Sequence, residues 1–332
     1  MFTTKDHVLC ALIKADGHLS GEAVSEELGI SRAAVNSAVK SLRAEGYVID
    51  SSTKKGYILT SVADNINYGS LLARLPGSRV KNIICLPEVD STNRYLKDLA
   101  FDGVPSGTVV ISETQTKGRG RRGRSFCSPE GTGIYLSYLF RPAGTDINIT
   151  DLTSIAAVAV CNCIEKVTGI RPDIKWVNDI LMNDRKICGI LTELSIESET
   201  GSVESAVIGI GININETEDS FPEELHNIAG SVRMASGKKI DRSEVAGELI
   251  SELDHLLSGS TKRENILQSY RRSCITVGRE ISAVKVHDST DARHGKALEV
   301  NDDFSLKVRF EDGSVEDLIS GEVSVRGLYG YV

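Results

Sequence analysis

The seven cysteines include no CxxC pair, no run of 18 residues is apolar, and no basic N-terminal stretch leads into an apolar one. A bilayer-spanning helix needs about 20 consecutive apolar residues, and the longest apolar run, at 155–160, is far shorter. The opening MFTTKDHVLC lacks the regions of a secretory signal, so none is expected. Cys161 and Cys163 stand two apart in a helical pattern and point to different sides. An odd, scattered set of thiols predicts neither a zinc site nor a disulfide framework. It predicts reduced cysteines in a cytoplasmic protein, most of them buried as small apolar side chains. The six histidines are scattered too, with no Ser-His-Asp or Cys-His arrangement that would form a covalent acyl-enzyme. No fixed-period repeat or low-complexity segment occurs. A net charge of −8 says that the chain as a whole is no general nucleic-acid binder, although a small DNA-reading part fits inside an acidic average.

What is present is an ordinary folding composition. Of 332 residues, 40% are hydrophobic and 25% charged, enough for two or three cored domains. The spacing predicts a helix over 4–15, with Val8, Leu9, Leu12 and Ile13 on one face, and a second over 20–27. After the turn Leu28-Gly29-Ile30, Ser31 can cap a third helix. Its apolar stripe is Val35, Ala38, Val39 and Leu42. Arg32, Asn36, Ser37 and Lys40 are left facing outward. Two short strands, 47–49 and 57–59, complete a helix-turn-helix followed by a wing. Such a third helix presents short polar and basic side chains to base edges, while Lys54 and Lys55 at the wing tip can meet phosphate. Residues 1–62 carry seven Lys/Arg and seven Asp/Glu, so positive charge must be confined to one face. A packing module without DNA is the plainer alternative.

Residues 63–82 read as a linker with one short helix around 68–75, ended by Pro76-Gly77. Strands then alternate with helices. Strands are expected at 83–86, 108–113, 134–140, 173–176, 186–194 and 204–210. Helices are expected at 92–101, 152–168, 241–257 and 261–271. From about Gly278 five short strands follow, at 280–286, 296–300, 306–310, 315–319 and 323–326, with hairpin signals at Asn301-Asp302-Asp303 and Asp312-Gly313. The tail reads as a small β-barrel-like module.

Four runs carry chemistry. Gly118-Arg119-Gly120-Arg121-Arg122-Gly123-Arg124 interleaves four arginines with three glycines directly after a strand. It matches GxGxxG, but the dinucleotide fingerprint needs a helix to open within the glycines, and more loop follows. Glycines let backbone wrap a ligand closely, and arginines offer forked donors to phosphate and carboxylate. Such a loop should order around an anion; by itself it equally fits a solvated basic loop. The second run, 175–194, reads as strand, tight turn, strand, with Asn178-Asp179 leaving the first strand. Lys186 begins the second, either as a firmly held cation beside a site or as a solvated hairpin lysine. The third, Asp90-Ser91-Thr92-Asn93, is by itself a helix-capping sequence. The fourth, Gly209-Ile210-Gly211-Ile212-Asn213, is a strand whose glycines suggest close approach by a ligand or another backbone.

In this order and spacing the four runs resemble the biotin protein ligases, in particular the bifunctional bacterial repressor type. The GRGRRGR loop and the KWVND…DRK…GIL hairpin are the specific parts, and the likeness covers nearly the whole chain. It implies an α+β multidomain fold: a winged helix-turn-helix (1–62), a linker (63–82), a central mixed α/β catalytic domain (83–275) and an SH3-like β-barrel (276–332). It implies that Ser91, Thr92, Asn93 and Gln115 contact biotin, and that Arg119, Gly120 and Arg121 close over biotin and the adenylate phosphate. Lys186 would touch the biotin carboxylate and the reacting phosphate. Asn178, Asp179 and Asn213 fall where the family handles ATP or the adenylate. Val177 stands where many relatives carry proline; the backbone there is less restrained, and the substitution reads as neutral.

The implied reaction uses biotin, ATP and Mg2+, with no metal site fixed by the protein alone. The biotin carboxylate attacks the α-phosphorus, pyrophosphate leaves, and a lysine of a biotin carboxyl carrier protein then takes the biotinyl group. Arg119, Arg121 and Lys186 are the candidate catalytic cations, since this chemistry is mainly positioning plus charge. The winged helix implies operator DNA as a second partner, residues 21–40 as the reading motif, biotin-responsive repression, and a homodimer promoted by biotinyl-AMP. Two rivals remain: a lipoate or octanoyl ligase, expected to lack the GRGRRGR loop, and a transcription factor whose α/β part only senses a ligand.

Overall fold

The computed structural model describes residues 2–52, 55–197, 199, 201–285, 292–320 and 323–327. At the N-terminus, α1 (Thr4–Lys14), α2 (Gly21–Leu28) and α3 (Arg32–Ala44) pack with the hairpin of β1 (Val48–Ser52) and β2 (Gly56–Ser61). A capping box of Thr3 and Asp6 starts α1, and Ser20 and Ser31 accept from backbone amides to start α2 and α3. Val8, Leu9, Leu12, Val35, Ala38, Val39 and Leu42 are buried, so the period of the sequence is the period of this small core. Leu19 bridges Tyr57 and adds a third short pairing to the wing. Lys54, proposed at the wing tip, lies outside the described residues; Lys55 is exposed.

Residues 63–82 are more than a spacer. They form α4 (Tyr68–Arg74) and α5 (Gly77–Val80) and bury Ile66, Leu71, Leu72, Leu75 and Val80 in the main core. Gly69 lies so close to α1 that a Cβ would sit 2.9 Å from Leu9 Cβ. Helix α1 thus packs directly on α4.

The central domain is built on a seven-stranded sheet. In chain order come β3 (Ile83–Leu86), α6 (Thr92–Phe101), β4 (Val109–Ser112), β5 (Gly133–Phe140), α7 (Leu152–Thr168), β6 (Asp173–Lys175), β7 (Asp179–Met182), β8 (Arg185–Ile196), β9 (Val203–Asn213), α8 (Val232–Ser236), α9 (Arg242–Leu257) and α10 (Arg263–Ser273). The sheet order is β3-β4-β5-β9-β8-β7-β6. Only β3 and β4 run parallel; the other neighbours are antiparallel. The sheet is mixed, as expected. The long apolar α7 is buried on nearly every side, and it and α9 cover one face while α6 lies on the other.

The 175–194 run corrects the simpler strand-turn-strand reading. Asp179–Met182 is a strand of its own, pairing with both β6 and β8. Its four residues offer too short a pattern to separate from the turns that flank it. Asn183 and Asp184, both at positive φ, make the β7–β8 turn.

The C-terminal strands are β10 (Glu280–Lys285), β11 (Ala292–Val300), β12 (Leu306–Phe310), β13 (Val315–Leu318) and β14 (Val323–Gly327), in the order β13-β12-β11-β10-β14. Among the described residues these strands form one five-stranded antiparallel sheet, in which no pairing of the edge strands β13 and β14 is seen. Hairpin signals report neighbouring strands; closure depends on tilt and stagger that local sequence does not encode. The sheet shares the main core through Ile281, Ala297, Phe304 and Leu306, and Trp176 Nε1 donates to Phe304 O at 2.9 Å. No helix among the described residues is long and apolar enough to cross a membrane. Cys161, Cys163, Cys188 and Cys274 are buried free thiols, Cys10 and Cys85 are half-buried, and Cys127 is exposed.

Candidate active site

A cleft opens on the α6 side of the sheet. Its lining gathers most of the residues singled out in the sequence: Ser91, Thr92 and Asn93 from the start of α6, Gln115 after β4, Arg119, Gly120 and Arg121 from the loop, and Asn178 and Lys186 from the hairpin. Leu136, Phe126, Ile190 and Leu191 give it apolar walls, together with the strand glycines Gly189, Gly209 and Gly211.

Local chemistry explains how each side chain is held. Ser91 stands at the cap position of α6 but makes no capping hydrogen bond. The Thr92 amide and hydroxyl both donate to Gln115 Oε1, at 2.9 and 3.1 Å, and Gln115 Nε2 donates to Ser128 Oγ at 3.0 Å. Asn93 accepts from Ser137 Oγ at 2.6 Å and donates through Nδ2 to Glu193 Oε2 at 2.9 Å and Leu191 O at 3.3 Å. The polar end of the cleft is therefore a hydrogen-bonded bed of fixed donors and acceptors.

The glycines of β9 serve close approach. A Cβ on Gly209 would land on the Asn93 amide, and one on Gly211 would sit 2.5 Å from the Phe126 ring. Phe126 also packs edge-on against Tyr135, with ring centroids 6.4 Å apart.

The glycine–arginine loop folds back on itself, with Arg119 bridging Ser125 and the Gly120 amide donating to Arg124 O at 2.7 Å. A single 3-10 turn occupies Arg121–Gly123 where a dinucleotide motif would open an α-helix. The arginines separate. Arg119 Nη1 lies 3.3 Å from Glu193 Oε1, Arg121 Nη1 donates to Asn178 Oδ1 at 2.7 Å, and Arg122 Nη2 donates to Val284 O at 3.2 Å. Burial pushes the pKa of Arg121 down from its usual value, with Asp179 pulling the other way. Lys186 Nζ lies 2.6 Å from Asp179 Oδ1. Asn178 is tied to β8, its amide donating to Ile190 O at 3.0 Å.

Asp179 thus joins the site through Lys186. Asn213 is not among the residues that line the cleft; it is buried next to it, on the strand face that carries Gly209 and Gly211, and its amide donates to Gly230 O at 2.9 Å. The DNA-reading candidates stand apart on α3, where Ser31, Arg32, Asn36, Ser37 and Lys40 are all exposed. Arg32 pairs with Glu22 of α2.

Two features escaped the sequence. Glu193 bridges two of the cleft's residues, and nothing in Leu191-Thr192-Glu193-Leu194 distinguishes it from any strand glutamate. A larger hollow adjoins the cleft. It shares Arg121, Asn178, Ile190 and Leu191 with it and is bounded beyond by Ser154, Thr192, Asp303 and Phe304. It depends on how the C-terminal sheet docks on the central one, which no local pattern states.

The comparisons agree on the class. Residues 85–213 match the biotin/lipoate A/B protein ligase family, and residues 4–58 match an HTH domain. The chain is 35% identical over 313 residues to the bifunctional ligase/repressor BirA of Bacillus spizizenii, spanning 92% of this chain and 94% of that one. It is 35% identical over 245 residues to BirA of Escherichia coli, covering 74% of each. Among solved structures it is similar to the biotin protein ligase from Aquifex aeolicus in complex with biotin and ATP, with a TM-score of 0.64, 30% identity, and coverage of 74% of this chain and 99% of that one. The chain belongs to the bifunctional ligase/repressor family of biotin protein ligases.

Proposed function

We propose that the cleft beneath the glycine–arginine loop is the adenylation site of this ligase. The chain activates biotin with ATP to biotinyl-5′-AMP and transfers biotin to a lysine of a biotin carboxyl carrier protein, and it carries a DNA-binding domain for repression. The observation that carries the site reading is convergence: Ser91–Asn93, Gln115, Arg119–Arg121 and Lys186, far apart in sequence, line one cleft.

The apolar walls suit a fused bicyclic ring and its alkyl chain, and the Thr92–Gln115 bed offers fixed polar partners to the ring's urea-like edge. That placement sends the carboxylate toward Lys186 and the arginines. ATP then belongs in the adjoining hollow, with its α-phosphate at the shared residues Arg121 and Asn178.

The biotin carboxylate oxygen attacks the α-phosphorus, a P–O bond forms, and pyrophosphate leaves with the electron pair. Lys186, Arg119 and Arg121 meet the charge that builds on the phosphate oxygens. The folded loop excludes water from the mixed anhydride. A neutral lysine amine of the carrier next attacks the acyl carbon, AMP departs, and the amine proton passes to solvent. Mg2+ would accompany the triphosphate, a common way for this ion to reach a nucleotide site.

The winged helix presents α3 to operator DNA, and a two-fold operator calls for a homodimer. The β8 strand supports that reading. Past Gly189, among the described residues, it pairs only with β9, and Leu194 and Ile196 are 43% and 62% exposed beside its open edge. The free thiols suit a cytoplasmic setting.

The test is biotin-dependent exchange of labelled pyrophosphate into ATP, in wild type and in Lys186→Ala. Exchange that requires biotin, ignores lipoate and falls in the variant supports the reading. Exchange driven by lipoate would favour the lipoate ligase, and none with either acid would favour a ligand-sensing regulator.

A further inference from the structure

Glu193 occupies a position that the adenylation chemistry does not itself explain. It sits on β8 with its carboxylate 18% exposed, between two residues of the cleft that arrive from different elements. Its Oε2 accepts from Asn93 Nδ2 at 2.9 Å, and its Oε1 lies 3.3 Å from Arg119 Nη1. Lys97 Nζ on α6 is 3.8 Å from the same Oε1. Asn93 is buried and bonded at both ends of its amide, so its orientation depends on Glu193 and Ser137 together. Arg119 is 53% exposed at the cleft rim, where a carboxylate partner competes with any anion that enters.

We propose that Glu193 is a positioning residue for the adenylation site, setting Asn93 through one oxygen and holding Arg119 at the rim through the other until a ligand anion takes the guanidinium. The inference rests on the reading of the cleft given above. It separates two jobs that two substitutions can tell apart. Glu193→Gln keeps an oxygen to accept from Asn93 but removes the charge that holds Arg119. Glu193→Ala removes both.

The experiment measures biotin affinity by calorimetry and biotin-dependent pyrophosphate exchange in wild type, both variants, and Glu193→Gln in an Arg119→Ala background. Glu193→Gln should tighten biotin binding about two- to fivefold, the strength of a half-exposed ion pair. Glu193→Ala should weaken it about tenfold, through the loss of a charged hydrogen bond to a cleft residue. In the Arg119→Ala background most of the effect of Glu193→Gln should vanish, because only the longer Lys97 contact is left to release. A merely structural glutamate would move both variants in the same direction. That outcome, or a Glu193→Gln effect that persists undiminished without Arg119, overturns the proposal while wild-type exchange leaves the adenylation reading standing. Wild type with no biotin-dependent exchange removes both.

Discussion

Lys186 Nζ and Asp179 Oδ1 lie 2.6 Å apart, across the tight turn that joins β7 to β8. The lysine is 27% exposed and the aspartate 18%, so the pair is partly shielded and the carboxylate aims the ammonium along the cleft wall. Removing a preorganised charge from a developing oxyanion costs about 10²–10³ in rate. Lys186→Ala should lower pyrophosphate exchange by about that factor. Asp179→Asn keeps the cation and loses its aim, and should cost about tenfold. Equal, small effects from both in the exchange assay would remove Lys186 from the chemistry.

Gly209 is glycine because Asn93 occupies the space where its Cβ would go. Asn93 is pinned by Ser137 and Glu193 and has no room to retreat. Gly209→Ala should therefore destabilise the protein by about 1–3 kcal/mol, the usual effect of overpacking, and raise the Kd for biotin. A denaturation midpoint and a biotin titration that both match wild type would show that the amide moves freely, contrary to the hydrogen bonds seen.

Much of this architecture was legible in the sequence. The bounds of α6 and α7 follow from helical period, and Ser31 does cap α3 as its place before an amphipathic stripe implied. The strand glycines Gly209 and Gly211 marked close approach, and the structure supplies the neighbours, Asn93 and Phe126. What stayed hidden was long-range pairing. Arg242 reads as an ordinary residue in the first turn of a helix, yet it is fully buried against Asp64 and Glu113. The hydrogen bond of Asn213 to Gly230 O, between residues far apart in the chain, has no signal in either local run. Charge and spacing tell which side chains are able to pair, and only the fold decides which do.

Arg242 ties the segment after the winged helix to the ligase core. Its Nε lies 3.0 Å from Asp64 Oδ1, its Nη2 2.8 Å from Glu113 Oε2, and its Nη1 donates to Gly133 O at 2.9 Å. Burial opposes its charge, but Glu113 and Asp64 outweigh that and raise its pKa. Arg242→Met strands two acidic groups and should cost about 3–5 kcal/mol. A loss under about 1 kcal/mol in chemical denaturation would mean that water reaches the carboxylates and the clamp is minor.

On α3, Lys40 is exposed on the face opposite the packed stripe of Val35, Val39 and Leu42. A lysine that meets one phosphate contributes about 0.9 to the slope of log affinity against log salt. Lys40→Ala should flatten the slope for operator binding by about that amount and weaken all sequences alike. An unchanged slope would place Lys40 off the DNA and shift the reading face toward Arg32 and the wing.

Glu216 gives the chain a pH dependence. It is fully buried, Thr132 Oγ1 donates to its Oε1 at 3.1 Å, and its Oε2 has no hydrogen-bond partner among the described residues. Burial pushes its pKa up from 4.5 to about 7. The folded state therefore holds this proton over a range where the unfolded chain has lost it. Below 4.5 both states are protonated and the group favours neither; as pH rises toward 7 the unfolded state ionises first and stability falls. The full difference is roughly 3 kcal/mol, by the usual conversion of a pKa shift to free energy. Glu216→Gln removes the titration and should flatten the stability curve across that window. A wild-type curve that rises with pH there, or a variant with the same slope as wild type, would place the proton elsewhere.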